Sequence, residues 1–218
     1  MRHLLQPRVL NQASLAAAGT TLACYPRLAL WTEKSQAIPL LLCAVFICSI
    51  VMWSFVFAWH TPYAQRPIFF IKPSQKLFAG VTFAGIILAL GCRLWLDPAL
   101  CSALPEDYPA DLKHWLATVP FVLVFGQLFL IFAPLDWLMR LCRNERIAIA
   151  LTAAFAASVA AMKLQAHAGS IPTELFIAFL AGRFFTGLLV AWLYLRGGMA
   201  LAWWWALLFE LRLLPELL

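Results

Sequence analysis

The chain has 218 residues, of which 64% are hydrophobic and only 12% charged, with ten Trp and seventeen Phe and a mean hydropathy of +0.85. A soluble domain carries about 25% charged residues, and disordered chains are polar and poor in aromatics. Both classes are excluded, and an all-α, polytopic transmembrane helix bundle of about six spans is expected. The net charge of +6 comes from Lys and Arg beside apolar runs, as membrane topology and anionic headgroups require. No basic stripe with interleaved aromatics marks a nucleic-acid surface. The six cysteines form no C-x-x-C pair and have no His at metal-ligand spacing, so they read as small apolar packers and no cofactor is expected.

Residues 1–37 mix short apolar patches with Arg2, Arg8, Arg27 and Lys34, which suggests an interfacial N-terminal segment with an amphipathic helix around 14–31. Its apolar stretch is too weak for a signal peptide. Residues 38–218 form the expected transmembrane bundle. The first span, 38–59, is 22 residues without a charge, enough for about 30 Å of hydrocarbon. The second covers about 77–96, with Arg93 near enough to its end to snorkel. The third, 115–135, contains Pro120, Gln127 and Pro134, and a kink is expected near Pro120. The fourth covers 147–162, the fifth 175–195 and the sixth 198–214. The Lys and Arg counts of the two sets of loops balance, so charge alone does not orient the chain. Ala148, Thr152, Ala156 and Ala160 line one face of span four, and Gly187 and Ala191 one face of span five. Such faces let helices approach closely in lipid.

Charges within spans are costly and invite functional readings. Arg183 is the clearest, followed by Asp136 and Arg140, whose spacing allows an i, i+4 ion pair, and by Glu210 and Arg212. The histidines His60 and His114 fall at helix ends beside tryptophans, and His167 lies past span four. No H-E-x-x-H, G-x-S-x-G or phosphate-binding loop occurs. Trp203, Trp204 and Trp205 point three ways around one helix, so interfacial anchoring or contact with a partner helix is expected.

Gly187-Leu-Leu-Val-Ala-Trp-Leu-Tyr-Leu-Arg-Gly-Gly198 resembles the G-x-x-x-G-W-L-Y-x-R-x-G stretch of the CAAX protease and bacteriocin-processing (CPBP) family of intramembrane proteases. Upstream, Ala133-Pro-Leu-Asp-Trp-Leu-Met-Arg140 is similar to the family segment carrying E-E-x-x-x-R, with Asp136 at the second glutamate and Arg140 at the arginine. Phe155 takes the phenylalanine of F-x-x-x-H. The resemblance covers residues 132–209. It departs at the chemical groups: Leu135 stands for the first glutamate, Val159 for the histidine, and Leu207 and Leu211 for the final H-x-x-x-N. Leucine and valine accept no proton from water, and a scaffold without its site does not transfer function.

The resemblance therefore implies a non-catalytic relative in a bacterial cytoplasmic membrane. Such a protein would be a scaffold that binds another membrane protein or a hydrophobic ligand. One alternative is an active intramembrane endopeptidase with a shifted site around Asp136, Arg140 and His167. Another is a small transporter or channel subunit with Arg183 and Gln127 along a path. The partner-facing or buried-charge candidates are Arg183, Glu210, Trp203, Trp204 and Trp205.

Overall fold

A computed structural model describes Leu4 and residues 6–31, 36–105, 108–165 and 172–216. The described chain is helical with no strand. Five stretches are long and apolar enough to cross a bilayer: Ile38–Ala64, Gln75–Ala103, Leu112–Cys142, Glu145–Gln165 and Thr173–Leu214. The protein is a multi-pass integral membrane protein. Its outward surface fits that solvent, with Phe83, Trp95 and Phe185 all strongly exposed.

Helix α1 (Pro7–Ala29) begins on a proline, whose missing N–H costs nothing in a first turn. It runs antiparallel to α2 (Ile38–Trp59): Val9 clusters with Ala58 and Trp59, and the Trp53 indole donates to Thr20 Oγ1 at 2.9 Å. The buried positions of α1, Val9, Ala13, Ala17, Thr20, Cys24 and Leu28, recur every three or four residues. Most are small, which lets the two backbones lie close together. α2 ends in a π-helical turn, His60–Ala64, closed by Gln65 in the left-handed region.

After an extended stretch, α3 (Gln75–Gly91) starts on Ser74, whose hydroxyl accepts from the Leu77 N–H. It passes through a π-helical turn, Cys92–Leu96, into α4 (Asp97–Ala103). The third stretch begins with α5 (Leu112–Pro120), capped by Asp111, which accepts from the His114 backbone N–H at 2.7 Å. That bond and the His114 side chain hold the Asp111 carboxyl below its ordinary pKa. The kink expected at Pro120 takes the form of a widened helix: two π-helical segments, Phe121–Gly126 and Leu128–Phe132, follow immediately. Proline removes a ladder bond, and a π-bulge absorbs the resulting register change. α6 (Ala133–Cys142) completes the stretch, and α7 (Glu145–Gln165) runs back along it.

α8 (Thr173–Glu210) contains the decisive irregularity. Gly198 has φ 71° and ψ −172°, a conformation open essentially to glycine alone. Arg183 and Gly187 from before the break share one cavity wall with Trp205, Ala206 and Glu210 from after it. Two halves of a straight helix would lie tens of ångströms apart at these positions. The arms, residues 173–197 and 199–210, therefore fold back as an antiparallel hairpin. They supply the fifth and sixth expected helices from one stretch. The break is stitched to the extended stretch after α2: the Met199 and Ala200 N–H groups donate to the Ile68 and Phe69 carbonyls, and Ile71 N–H donates to Gly197 O. These bonds satisfy backbone groups that a helix end would otherwise leave unpaired.

The small faces expected for packing are used inside the bundle. Ala148, Thr152 and Ala156 are buried, and α7 meets α8 where a Cβ on Gly187 would stand 3.1 Å from Ala153 Cα. The two ends of the bundle differ in charge. Arg8, Arg66, Lys72, Lys76, Arg140, Arg143, Arg146 and Arg196 mark one end, with Asp136 and Glu145 as its acids among the described residues. The other end mixes Arg27, Arg93, Lys113, Lys163, Arg183 and Arg212 with Asp97, Asp111, Glu174 and Glu210.

Candidate functional site

Two polar centres lie inside the bundle, one toward each end. The first is built on Asp136, in the first turn of α6. Asp136 and His60 are both fully buried, and His60 Nδ1 meets Asp136 Oδ1 at 2.8 Å. The Tyr194 hydroxyl, from the first arm of α8, donates to Asp136 Oδ2 at 3.0 Å. The His60 and Tyr194 rings stand 4.6 Å apart between centroids, and Phe132 closes on Tyr194 at 4.5 Å. Three separate elements thus converge on one carboxylate. With Nδ1 spent on Asp136, the buried Nε2 of His60 has no partner among the described residues.

Arg140 does not join this centre. The expected i, i+4 pair with Asp136 is replaced, because Asp136 is saturated by His60 and Tyr194. The Arg140 guanidinium instead sits over the Trp59 ring, 4.5 Å from its centroid. A cation on an aromatic face keeps its charge near the rim of the bundle. Arg66 ties the same end together, donating to Leu195 O at 2.9 Å and reaching Glu145 at 3.4 Å. His167 lies outside the described residues.

The second centre surrounds the second arm of α8. A cavity of about 240 Å³ is lined by Gln127, Val159, Lys163, Arg183, Glu210 and apolar neighbours. A larger one, about 460 Å³, lies across Trp205 and Phe209, with Asp97, Arg183 and Arg212 in its wall. Arg183 borders both, with its guanidinium 5.0 Å from the Phe179 ring centroid. Arg212 closes the end of the hairpin: its Nε donates to Asp97 Oδ2 at 2.8 Å and its Nη1 to Phe209 O at 2.7 Å. The Tyr108 hydroxyl donates to Asp97 Oδ1 at 2.9 Å. Burial and that neighbouring carboxylate push the Tyr108 phenol above its ordinary pKa, so it remains a donor at neutral pH. The Oε1 atom of Gln127 is buried without a partner among the described residues. A ligand group is one way to satisfy such an atom.

The three tryptophans are taken up by the bundle. Trp205 is buried and lies against Gly85. Trp204 stacks on Phe78 at 5.6 Å and donates to Thr82 at 2.9 Å. Trp203 meets Phe132 edge-on. Among the described residues, no three His, Cys, Asp or Glu side chains converge as metal ligands would.

The sequence singled out Asp136, Arg183 and Glu210, and each reaches a polar centre. It missed His60, Tyr194, Asp97 and Tyr108, whose partners come from distant elements. No protein-family model, characterised protein or solved structure matches the chain.

Proposed function

We propose that this is a non-catalytic membrane protein that holds a hydrophobic or amphipathic ligand within its own bundle. The observation that carries this reading is the pair of cavities flanking the second arm of α8, joined at Arg183. Pockets of a few hundred Å³ with mostly apolar walls and a few polar groups are the usual form of a small-molecule site. The groups that the CPBP-like resemblance would assign to catalysis are apolar here. Leu135 is fully buried and Val159 forms part of a cavity wall, and neither moves a proton. The small-residue face of α7 and the buried Trp205 are filled by the chain's own helices, which favours a ligand over a scaffolded protein. Neither of these two cavities is lined by Asp136, Arg140 or His60. Gln127 and Arg183 do share a wall, as a transport path would need. That cavity's lining stops at Ile131 and Val190, short of the basic end.

The test is extraction in a mild detergent followed by native mass spectrometry. One amphipathic molecule retained per chain is the expected result. A chain that carries none, or that cleaves a membrane-spanning peptide and loses this activity in Asp136→Asn, overturns the reading.

We propose an orientation as well. α1 packs antiparallel along α2, which puts Arg8 at the end that carries Arg66, Arg143 and Arg146. The balance of loop cations then tips toward that end, which faces the cytoplasm. In a variant stripped of its native cysteines, Lys113→Cys should react with an impermeant maleimide on intact cells. Arg143→Cys should react only after permeabilisation. The opposite pattern reverses the assignment.

A further inference from the structure

Two segments at the basic end of the bundle carry the same pattern. In the extended stretch between α2 and α3, Phe69 and Phe70 are exposed, Phe70 at 60%, and Lys72 and Lys76 follow them. In the turn between α6 and α7, the exposed Leu141 and Ile147 flank Arg143 and Arg146. The contact from Arg66 to Glu145 at 3.4 Å joins the two segments. Lipid-exposed backbone outside a helix does not occur within the hydrocarbon, so the extended stretch sits at headgroup depth.

We propose that this rim binds the headgroups of anionic phospholipids in the leaflet beside it. The rim is a different surface from the cavities, so the proposal stands whether or not they hold a ligand and whichever way the chain faces. Three observations support it. First, the cations are unmatched: Lys72, Lys76, Arg143 and Arg146 are all exposed and make no ion pair among the described residues. The acids at this end are already taken, Asp136 by His60 and Glu145 by Arg66. Second, a large exposed apolar side chain lies within two residues of each cation: Phe70 beside Lys72, Phe78 beside Lys76, Leu141 beside Arg143 and Ile147 beside Arg146. Docking of a soluble acidic protein would use the cations and leave these side chains without a role. A phospholipid uses both, with acyl chain against the apolar groups and phosphate against the cation. Third, the rim is held in place. The Ile68 and Phe69 carbonyls accept from Met199 and Ala200, and Asn144 Oδ1 accepts from the Arg146 and Ile147 N–H groups. The cations thus stand on fixed backbone, which lowers the ordering cost of binding.

The experiment reconstitutes the full-length chain in phosphatidylcholine vesicles and compares the association of spin-labelled phosphatidylglycerol and spin-labelled phosphatidylcholine with the protein. Phosphatidylglycerol should be preferred about fivefold, the factor expected for one cation beside an anionic headgroup. The preference should fall toward unity in about 0.5 M salt. The combined change Lys72→Gln, Lys76→Gln, Arg143→Gln and Arg146→Gln should remove most of it, and either half of that set a part. These side chains are exposed and unpaired, so the variants should still fold. Arg27→Gln with Lys113→Gln, at the other end, should leave the preference unchanged. Equal association of the two lipids with the unaltered chain overturns the proposal. So does a preference that survives the fourfold change, or one that the changes at the other end remove equally well.

Discussion

Gly198→Ala is expected to abolish most of the folded yield, because the added methyl has nowhere to go. A Cβ at this position would lie 2.7 Å from Phe69 O, 2.8 Å from Phe69 C and 2.9 Å from Phe70 N. These are backbone atoms, so no rotamer change relieves the contact. The positive φ adds a conformational cost of about 1–3 kcal/mol for any residue with a side chain. Relief would require the extended stretch to move away, which breaks the bonds from Met199 and Ala200 to Ile68 and Phe69. Fluorescence-detected size exclusion of the detergent extract reads the outcome directly. Gly91→Ala is the control, since a Cβ there meets nothing within 4 Å. It should leave the profile intact or improve it slightly. A monodisperse peak from Gly198→Ala would refute the hairpin.

Asp136→Ala comes second in expected effect. It strips from His60 Nδ1 and the Tyr194 hydroxyl, both fully buried, their partner among the described residues. Leaving a buried hydrogen-bonding group without its partner costs about 1–3 kcal/mol in soluble proteins. Hydrogen bonds in membrane bundles average less, about 0.6 kcal/mol, because the unfolded chain in lipid also finds partners. Two bonds are lost at once here, so a cost of about 2–3 kcal/mol is expected. Asp136→Asn should cost about half as much: its carbonyl still accepts from Tyr194, and its amide can donate to His60 once the imidazole shifts tautomer. Thermal unfolding in detergent ranks the variants, and the His60→Leu, Asp136→Leu pair completes the cycle. Replacing both partners by apolar groups should cost less than the two single changes added together. An additive result would mean that His60 and Asp136 do not act as a unit.

Much of the architecture was legible because it depends on composition and period. The uncharged run of α2 is long enough to span on its length alone. Ala148, Thr152 and Ala156 are buried as their i, i+4 spacing suggested, while Gly187 meets the adjacent Ala153. Even the fold-back at Gly198 was visible as a boundary between two apolar stretches, although only the structure shows a tight hairpin stitched by backbone bonds. The polar centres were only half legible. Asp136 stood out as a charge near a span end, but its partners sit on α2 and α8, and nothing local links His60 to it. Its neighbour Trp59 suggested an interfacial histidine, whereas the π-helical turn that begins at His60 turns the ring inward. The Asp136–Arg140 spacing misled for the opposite reason: the i, i+4 geometry was available, but two better partners came from elsewhere. Asp97 and Arg212 are more than a hundred residues apart, so only tertiary structure reveals that they close the hairpin.

The stretch joining α2 to α3 has a further consequence for how the molecule is made. Its carbonyls wait for N–H groups on the last hairpin, and Arg66 waits for a carbonyl 129 residues downstream. A chain leaving the ribosome from its N-terminus therefore exposes these acceptors at the membrane surface until it has been made past Ala200. Helices α1 to α7 can insert and pair with their neighbours during that time. The end of the bundle carrying His60 and Asp136 cannot close until Tyr194 arrives, so assembly has a late, long-range final step. A nascent chain arrested before Gly198 should thus be inserted yet open at that end, and the last hairpin acts as the latch.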